Sequence, residues 1–254
     1  MNLRHYIRLV AFKSWADLRA ERERTYLGLL WWILEPAMFM FVFYFVFGVL
    51  RGNRGPGFVA FLLVGVVSWQ WIQAGVSHCG DRVLNNLTLI SQVRLSPAVF
   101  PLVVLLSDTI KFAVVLLLLI VVLGFLGYLP GKWILILPVL LMVQLLLVTG
   151  SGLIYSALVP IIPDLRYVMG AVLRAAMFVS GIFFDIDRLD SPHANLLSLN
   201  PVAGLIADAR LILLHNEPPH WGRLGVAALS GLFLLAVATW LFRRFGPSYT
   251  KLPC

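Results

Sequence analysis

From Trp31 to Leu50 the chain reads WWILEPAMFMFVFYFVFGVL, twenty residues interrupted by a single charge, Glu35. As a helix this run measures about 30 Å, the thickness of a bilayer's hydrocarbon core. Trp31 and Trp32 stand where the polarity changes, as indole rings do at a membrane–water boundary. Arg22, Glu23 and Arg24 close a charged stretch just before it, with no linker between. Apolar runs of similar reach recur along the chain. They predict an all-α integral membrane protein with six transmembrane helices, at about 31–50, 58–78, 98–126, 133–159, 167–184 and 222–242.

Composition agrees. Of 254 residues, 60% are hydrophobic and 13% charged, more apolar surface than a soluble domain of this length can hide. A net charge of +8 would suggest nucleic acid as a partner of a soluble protein. In a membrane protein it holds connections on the inner side, so no nucleic-acid partner is expected. Six spans put both termini on one side. The N-terminal segment, the second and fourth connections and the tail carry about twelve basic residues, the other connections about six, which makes both termini cytosolic.

The chain thus divides into three parts. Residues 1–30 place Leu3, Ile7, Val10, Phe12, Trp15 and Leu18 at helical spacing among arginines and a lysine, an amphipathic segment lying at the cytosolic interface. These polar-interleaved residues do not form a cleavable signal peptide. Residues 31–242 form the transmembrane domain and 243–254 a cytosolic tail. Within the domain, 185–221 is an outer segment of short re-entrant helices. One is expected over Ala194–Leu199, and one starts at Asn200-Pro201, with proline suited to a first helical turn. The polar return loop after the second span carries Val83, Leu84, Leu87, Ile90 and Val93 in the pattern of a short amphipathic helix, stopped before Pro97.

Catalytic chemistry is missing. No GxxxxGK[ST] phosphate loop occurs: Gly131-Lys132 has Leu126 where the first glycine belongs. There is no HExxH, no GxSxG and no metal-spaced cluster, and Cys79 and Cys254 lack CxxC partners. No catalytic, metal or cofactor residue is therefore assigned. Asp185, Asp187 and Asp190 read as a solvated loop.

Two other features carry information. Arg174 lies inside the fifth span, where a lone charge costs roughly 2.5–3.5 kcal/mol on insertion scales, so it should face a bundle interior or a cavity. It is either half of a buried pair with Asp108 or a pore residue that attracts an anionic substrate. Asp108 and Lys111, three residues apart, are also able to pair. Aromatic residues are the second feature. Phe39, Phe43 and Phe47 recur every four residues on one slowly drifting face of the first span, and Trp69 and Trp71 add to the second. Flat rings stack on sugar faces without fixing one register, which suits a sliding polymer.

The ordered set of motifs resembles a known family. Tyr26-Leu-Gly-Leu-Leu-Trp-Trp-Ile-Leu-Glu-Pro36, Pro163-Asp-Leu-Arg-Tyr167 and Asn200-Pro201 resemble, in order, three landmarks of type 2 ABC exporter permeases. These are the approach to the first span, an FRDL-like loop before the fifth, and an NP turn in the outer re-entrant region. The chain is most similar to the transmembrane subunits that export capsular polysaccharide, O-antigen and teichoic acid. Ile162-Pro163 departs from the Phe-Arg common in the family.

The resemblance implies a homodimer in the bacterial cytoplasmic (inner) membrane, bound to two copies of a separate ATPase subunit that holds ATP and magnesium. A lipid-linked polysaccharide would pass between the protomers towards periplasmic and outer-membrane export proteins. It also implies a coupling helix, here Arg82–Leu95. The residues expected to contact the ATPase are Arg82, Asn85, Asn86 and Arg94, with Asp164 and Arg166 of the FRDL-like loop. The expected channel wall is Phe39, Phe43, Phe47, Trp69, Trp71 and Arg174. The alternatives are a permease of the same fold for a drug or lipid, and an integral membrane sugar or lipid transferase. The transferase would need a polar constellation that the sequence does not contain.

Overall fold

The computed structural model describes residues 3–24, 30–50, 56–92, 96–185 and 200–249. Among them every regular element is helical. In chain order the helices are α1 (Leu3–Arg24), α2 (Trp31–Phe43, continuing as a π-helical stretch over Tyr44–Leu50), α3 (Pro56–Gly80), α4 (Leu87–Gln92), α5 (Val99–Phe125), α6 (Leu137–Leu158), α7 (Leu165–Val179), α8 (Pro201–Arg210) and α9 (Trp221–Tyr249). A 3₁₀ turn over Leu84–Asn86 leads into α4, another over Lys132–Ile136 leads into α6, and a π-helical turn over Leu211–His215 follows α8.

Among the described residues four helices are long and apolar enough to cross a membrane: Gly57–Gly80, Val99–Phe125, Lys132–Leu158 and Trp221–Gly246. The chain is a multi-pass membrane protein. These four match the second, third, fourth and sixth expected spans within a few residues. The last helix continues past Phe242 to Tyr249, through residues expected to be tail.

The first and fifth expected spans differ in kind. Trp31–Leu50 is helical throughout, but Pro36 removes a hydrogen bond from α2 and its last turns are wound as π-helix. The fifth is shorter than 167–184. α7 has 15 residues, about 22 Å, and stops at Ser180 because Gly181 takes a left-handed conformation at φ +69°. The chain from 180 to 185 folds back instead of continuing the span. The helix expected over Ala194–Leu199 lies outside the described residues. The break at Asn200-Pro201 is where the sequence put it. Asn200 Oδ1 accepts from Val202 N at 3.1 Å, and Pro201 opens α8.

α3 is the central rod. Buried residues make up 78% of its span, against 28–39% in the other three, so both its faces carry core. One face packs Val59, Leu63 and Trp71 against α5, α6, α8 and α9. The other packs Trp69, Ile72 and Val76 against Val148, Leu173, Ile182 and Ile206. In lipid, helices associate through close approach and interhelical hydrogen bonds rather than through exclusion of water. Gly150 and Gly231 give the close approach. A Cβ at Gly150 would lie 2.6 Å from Leu234 Cβ, and one at Gly231 would lie 2.9 Å from Leu146 Cγ. Buried Gln144 supplies a polar link, donating from Nε2 of α6 to the Ser68 carbonyl of α3 at 3.0 Å.

Candidate functional site

At the end of the bundle that carries α1, the chain leaves α3 at Gly80, where a Cβ would collide with the Tyr155 ring. Residues 81–92 then wind tightly. Asn85 N donates to Asp81 O at 2.8 Å, and Asn86 Nδ2 donates to Arg82 O at 2.7 Å. Arg82 Nε donates to the His78 carbonyl at 3.2 Å. The inward residues Val83, Leu87 and Ile90 form a small core with Phe100 and Tyr249. The outward residues Arg82, Asn85, Leu89 and Gln92 are exposed on one side. The expected amphipathic helix is therefore present over 84–92, while Arg94 and Leu95 lie outside the described residues.

Tyr249, near the end of α9, closes this core. Its hydroxyl donates to the Ala157 carbonyl at 2.7 Å, and burial pushes the phenol up to about 12, so it stays a neutral donor. No pattern in the expected polar tail marks this tyrosine as buried. The neighbouring loop, 159–164, is held beside the segment by an ion pair between Arg166 Nε and Asp81 Oδ1 at 3.6 Å. Arg82, Asn85, Asn86, Asp164 and Arg166 share one end of the molecule. Both partners of this pair are part-exposed, so it fixes register and adds little stability.

α1 is fastened to the same end. Ser14 Oγ donates to the Val103 carbonyl of α5 at 2.8 Å, and Lys111 Nζ pairs with Glu21 at 2.6 Å. At the other end of α1, burial pushes the Tyr6 phenol up, and a hydrogen bond with Ser96 offsets part of that rise. Asp108, buried on α5, accepts from His78 Nδ1 of α3 at 2.9 Å. Asp108 therefore pairs with neither Lys111 nor Arg174, because His78 and Glu21 supply the two partners. The sequence signal was available in His78, placed in the last turn of a span.

Among the described residues, those expected in the channel wall are not gathered on one surface. Trp69 is 2% exposed and donates its indole N–H to Gln73 at 3.0 Å. Trp71 is 4% exposed and stacks on Phe112 with ring centroids 4.2 Å apart. Two residues apart on a helix means about 200° of rotation, so the pair points to opposite sides of α3, and both sides are core. Both tryptophans are packing residues. Phe39 is exposed on α2. The side chains of Phe43 and Phe47 lie outside those described. Arg174 is exposed on α7, whose one buried residue is its neighbour Leu173, so it does not face the interior of this bundle.

The opposite end holds a buried cation in the outer segment 185–221. Arg210, at the end of α8, is 4% exposed. Its Nε donates to Phe61 O at 3.1 Å, Nη1 to Gly181 O at 2.8 Å and Nη2 to Ile182 O at 2.9 Å. The guanidinium lies 3.3 Å from the Phe61 ring centroid, and a Cβ at Gly65 would collide with it. One side chain thus caps the turn that ends α7 and pins α8 to α3. Beside it, Asp208 is fully buried and accepts from His220 N at 3.1 Å, which ties α8 to the start of α9.

A helical membrane bundle, with an amphipathic helix fastened across one end and short buried helices at the other, has the layout of a transporter subunit. Residues 12–214 match the ABC-2 type transporter family, and the chain belongs to that family. It is similar to the "O-antigen export system permease protein RfbA" of Myxococcus xanthus, with 25% identity over 230 residues, 88% of this chain and 87% of that one. A protein of the same name from Klebsiella pneumoniae is 21% identical over 244 residues, covering 96% of this chain and 94% of its own. The "Polysialic acid transport protein KpsM" of Escherichia coli is 22% identical over 230 residues, 89% of each.

Proposed function

We propose that this chain is the channel-forming permease subunit of an ATP-driven exporter that moves a lipid-linked cell-surface polysaccharide across the bacterial cytoplasmic membrane. The observation that carries the reading is the likeness, over nearly the whole of both chains, to permeases named for O-antigen export and polysialic acid transport. The absent phosphate loop fits a division of labour in which a separate ATPase subunit hydrolyses ATP. Segment 81–92 and the loop carrying Asp164 and Arg166 are the surface on which that subunit docks, through Arg82, Asn85 and Asn86. The exposed face of α4 and its firm inner core suit this role.

In this reading α2 with its π-helical extension is the first span, and α7 with the turn after it is the fifth. α1 lies at the inner interface, α8 is re-entrant from outside, and both termini are cytosolic. α2 and α7 are loosely packed and expose Phe41, Phe45, Tyr167 and Phe178, which gives a second copy of the chain apolar surface to cover. The polymer would run between the two copies, with Phe39 and Arg174 on accessible faces of these helices.

The test is replacement of the chromosomal copy by a deletion in a strain that makes a surface polysaccharide. Loss of surface polymer with intracellular accumulation of its lipid-linked form is the expected result. Unchanged surface polymer together with a changed sensitivity to drugs or lipids would refute the cargo. An outward-only reporter inserted near Gly55 should be active, and one fused after Cys254 silent; the reverse would refute the topology.

A further inference from the structure

α1 crosses α5 where Ser14 meets Val103. Beside this crossing, between the second half of α1, the end of α3 and the first half of α5, lies a polar cavity of about 500 Å³. Its charges fall into two sets. Glu21 with Lys111 and His78 with Asp108 are paired at 2.6 and 2.9 Å. Lys13, Asp17 and Arg82 also line the cavity, and none has an ion-pair partner among the described residues. Arg82 spends only Nε, on the His78 carbonyl, and Lys13 rests 5.9 Å from the centroid of the Phe100 ring.

We propose that this cavity is a headgroup site for a phospholipid carrying a phosphodiester and a primary ammonium, the chemistry of ethanolamine phospholipids. The groups without an ion-pair partner among the described residues are two cations and one carboxylate, Arg82 reaching the cavity from the edge of the proposed docking surface. A phosphodiester flanked by Lys13 and Arg82, with an ammonium on Asp17, satisfies all three by charge-assisted hydrogen bonds. A purely anionic headgroup would leave Asp17 unpaired and add negative charge beside Glu21 and Asp108. A choline headgroup has the charge but no N–H to give. The level is that of lipid headgroups. Trp32, at the start of α2, lies 5.4 Å under the Lys111 ammonium, and Phe12 and Trp15 of α1 are 76% and 67% exposed. A lipid held there would fill the gap under α1 and join it to α3. The inner leaflet as the source rests on the topology proposed above. Binding is read without transport, so its failure and that of the cargo assignment are separable.

The full-length protein is reconstituted in vesicles of equal parts phosphatidylethanolamine, phosphatidylcholine and phosphatidylglycerol, extracted gently, and its retained lipids counted by native mass spectrometry. Phosphatidylethanolamine should be retained over each of the others by roughly tenfold, about one charge-assisted hydrogen bond. Asp17→Asn should equalise the ethanolamine and choline lipids. Lys13→Gln with Arg82→Gln should abolish retention of both. Arg8→Gln with Arg19→Gln, exposed and outside the cavity, should change nothing. No preference in the wild type, a preference that survives Lys13→Gln with Arg82→Gln, or equal loss in the control pair would overturn the site. Displacement by water-soluble glycerophosphoethanolamine at matched concentration would overturn the assignment to a lipid. Asp17→Asn is a neutralisation at an exposed position, so it keeps the test open if the double variant unfolds.

Discussion

Arg210→Lys is expected to destabilise the protein more than Arg210→Met, although lysine keeps the charge. The guanidinium makes three hydrogen bonds in three directions, to the carbonyls of Phe61, Gly181 and Ile182 at 2.8–3.1 Å. A hydrogen bond involving a charged group contributes about 1.5–3 kcal/mol net. One lysine nitrogen cannot reach carbonyls on both α3 and the turn after α7, so at least two bonds are lost, about 3–6 kcal/mol. The ammonium remains buried and under-solvated, which relieves nothing. Methionine loses all three bonds but also removes the buried charge and its desolvation cost, so its net penalty should be about 1–3 kcal/mol. For a chain of this size the lysine variant should melt on the order of 10 °C below wild type in detergent, and the methionine variant about half as far. Paired melting curves by intrinsic fluorescence, with size-exclusion profiles, read the ranking. A lysine variant that melts like wild type, or a methionine variant that melts lower than the lysine one, would show that the three bonds do not hold α8.

The other expectations are simpler. Trp71→Ala should cost about 3–5 kcal/mol through a core cavity and loss of the Phe112 stack, with surface polymer falling only as far as protein level falls; a stable variant with blocked export would restore Trp71 to the channel wall. Tyr249→Phe removes one buried hydrogen bond and should lower stability by about 1 kcal/mol in melting curves, while raising proteolytic nicking within residues 81–92. Gly231→Leu should prevent α9 from seating on α6 and yield aggregated protein on size exclusion, whereas Gly225→Leu, which meets open space, should not. Arg166→Asp should leave melting within about 0.5 kcal/mol of wild type but, if the ATPase docks on the surface proposed above, loosen its grip there; swapping the pair, with Asp81→Arg added, should restore part of the pull-down yield.

Length and hydropathy made the four long helices legible to within a few residues, because a membrane sets their length and leaves no other way to satisfy the backbone. Asn200-Pro201 was legible for the same reason that caps generally are: the chemistry is local. α7 was not. Its apolar run continues past Val179, and the stop at Gly181 depends on Arg210 arriving from 29 residues away to take the exposed carbonyls. Trp69 and Trp71 share a span but never a face, and each is buried against neighbouring helices of the same chain, which a count of aromatics in a span does not reveal. Arg174 drew attention as a charge inside a span, yet it lies on the surface. Arg210, read as a loop charge, is the buried one. Counting charges by segment assigns a side of the membrane. It does not say which charges are solvated.

Those placements give α3 and α5, which pack on each other through Trp71 and Phe112, different fastenings at the end where the ATPase is proposed to dock. Segment 81–92 hangs from the last turn of α3. α1 is fastened to α5 through Ser14 and through Glu21 with Lys111. α3 is a rod of about 37 Å, clasped along its length by Gln144 at Ser68, Phe112 at Trp71 and Arg210 at Phe61. A force on segment 81–92 therefore has a stiff, packed path to the turn after α7 and to α8. Among the described residues α5 shows no polar link to α8, and its outer half meets the bundle through the apolar core. The His78–Asp108 hydrogen bond is the shorter of two polar ties between α3 and α5 among the described residues, the other being Cys79 Sγ donating to the Pro101 carbonyl at 3.7 Å, and both lie at the docking end. Removing the shorter tie with Asp108→Leu and His78→Leu, which leave neither a donor nor an acceptor, would keep each helix's other fastenings, so any change in coupling would report on the tie between them and not on either docking surface.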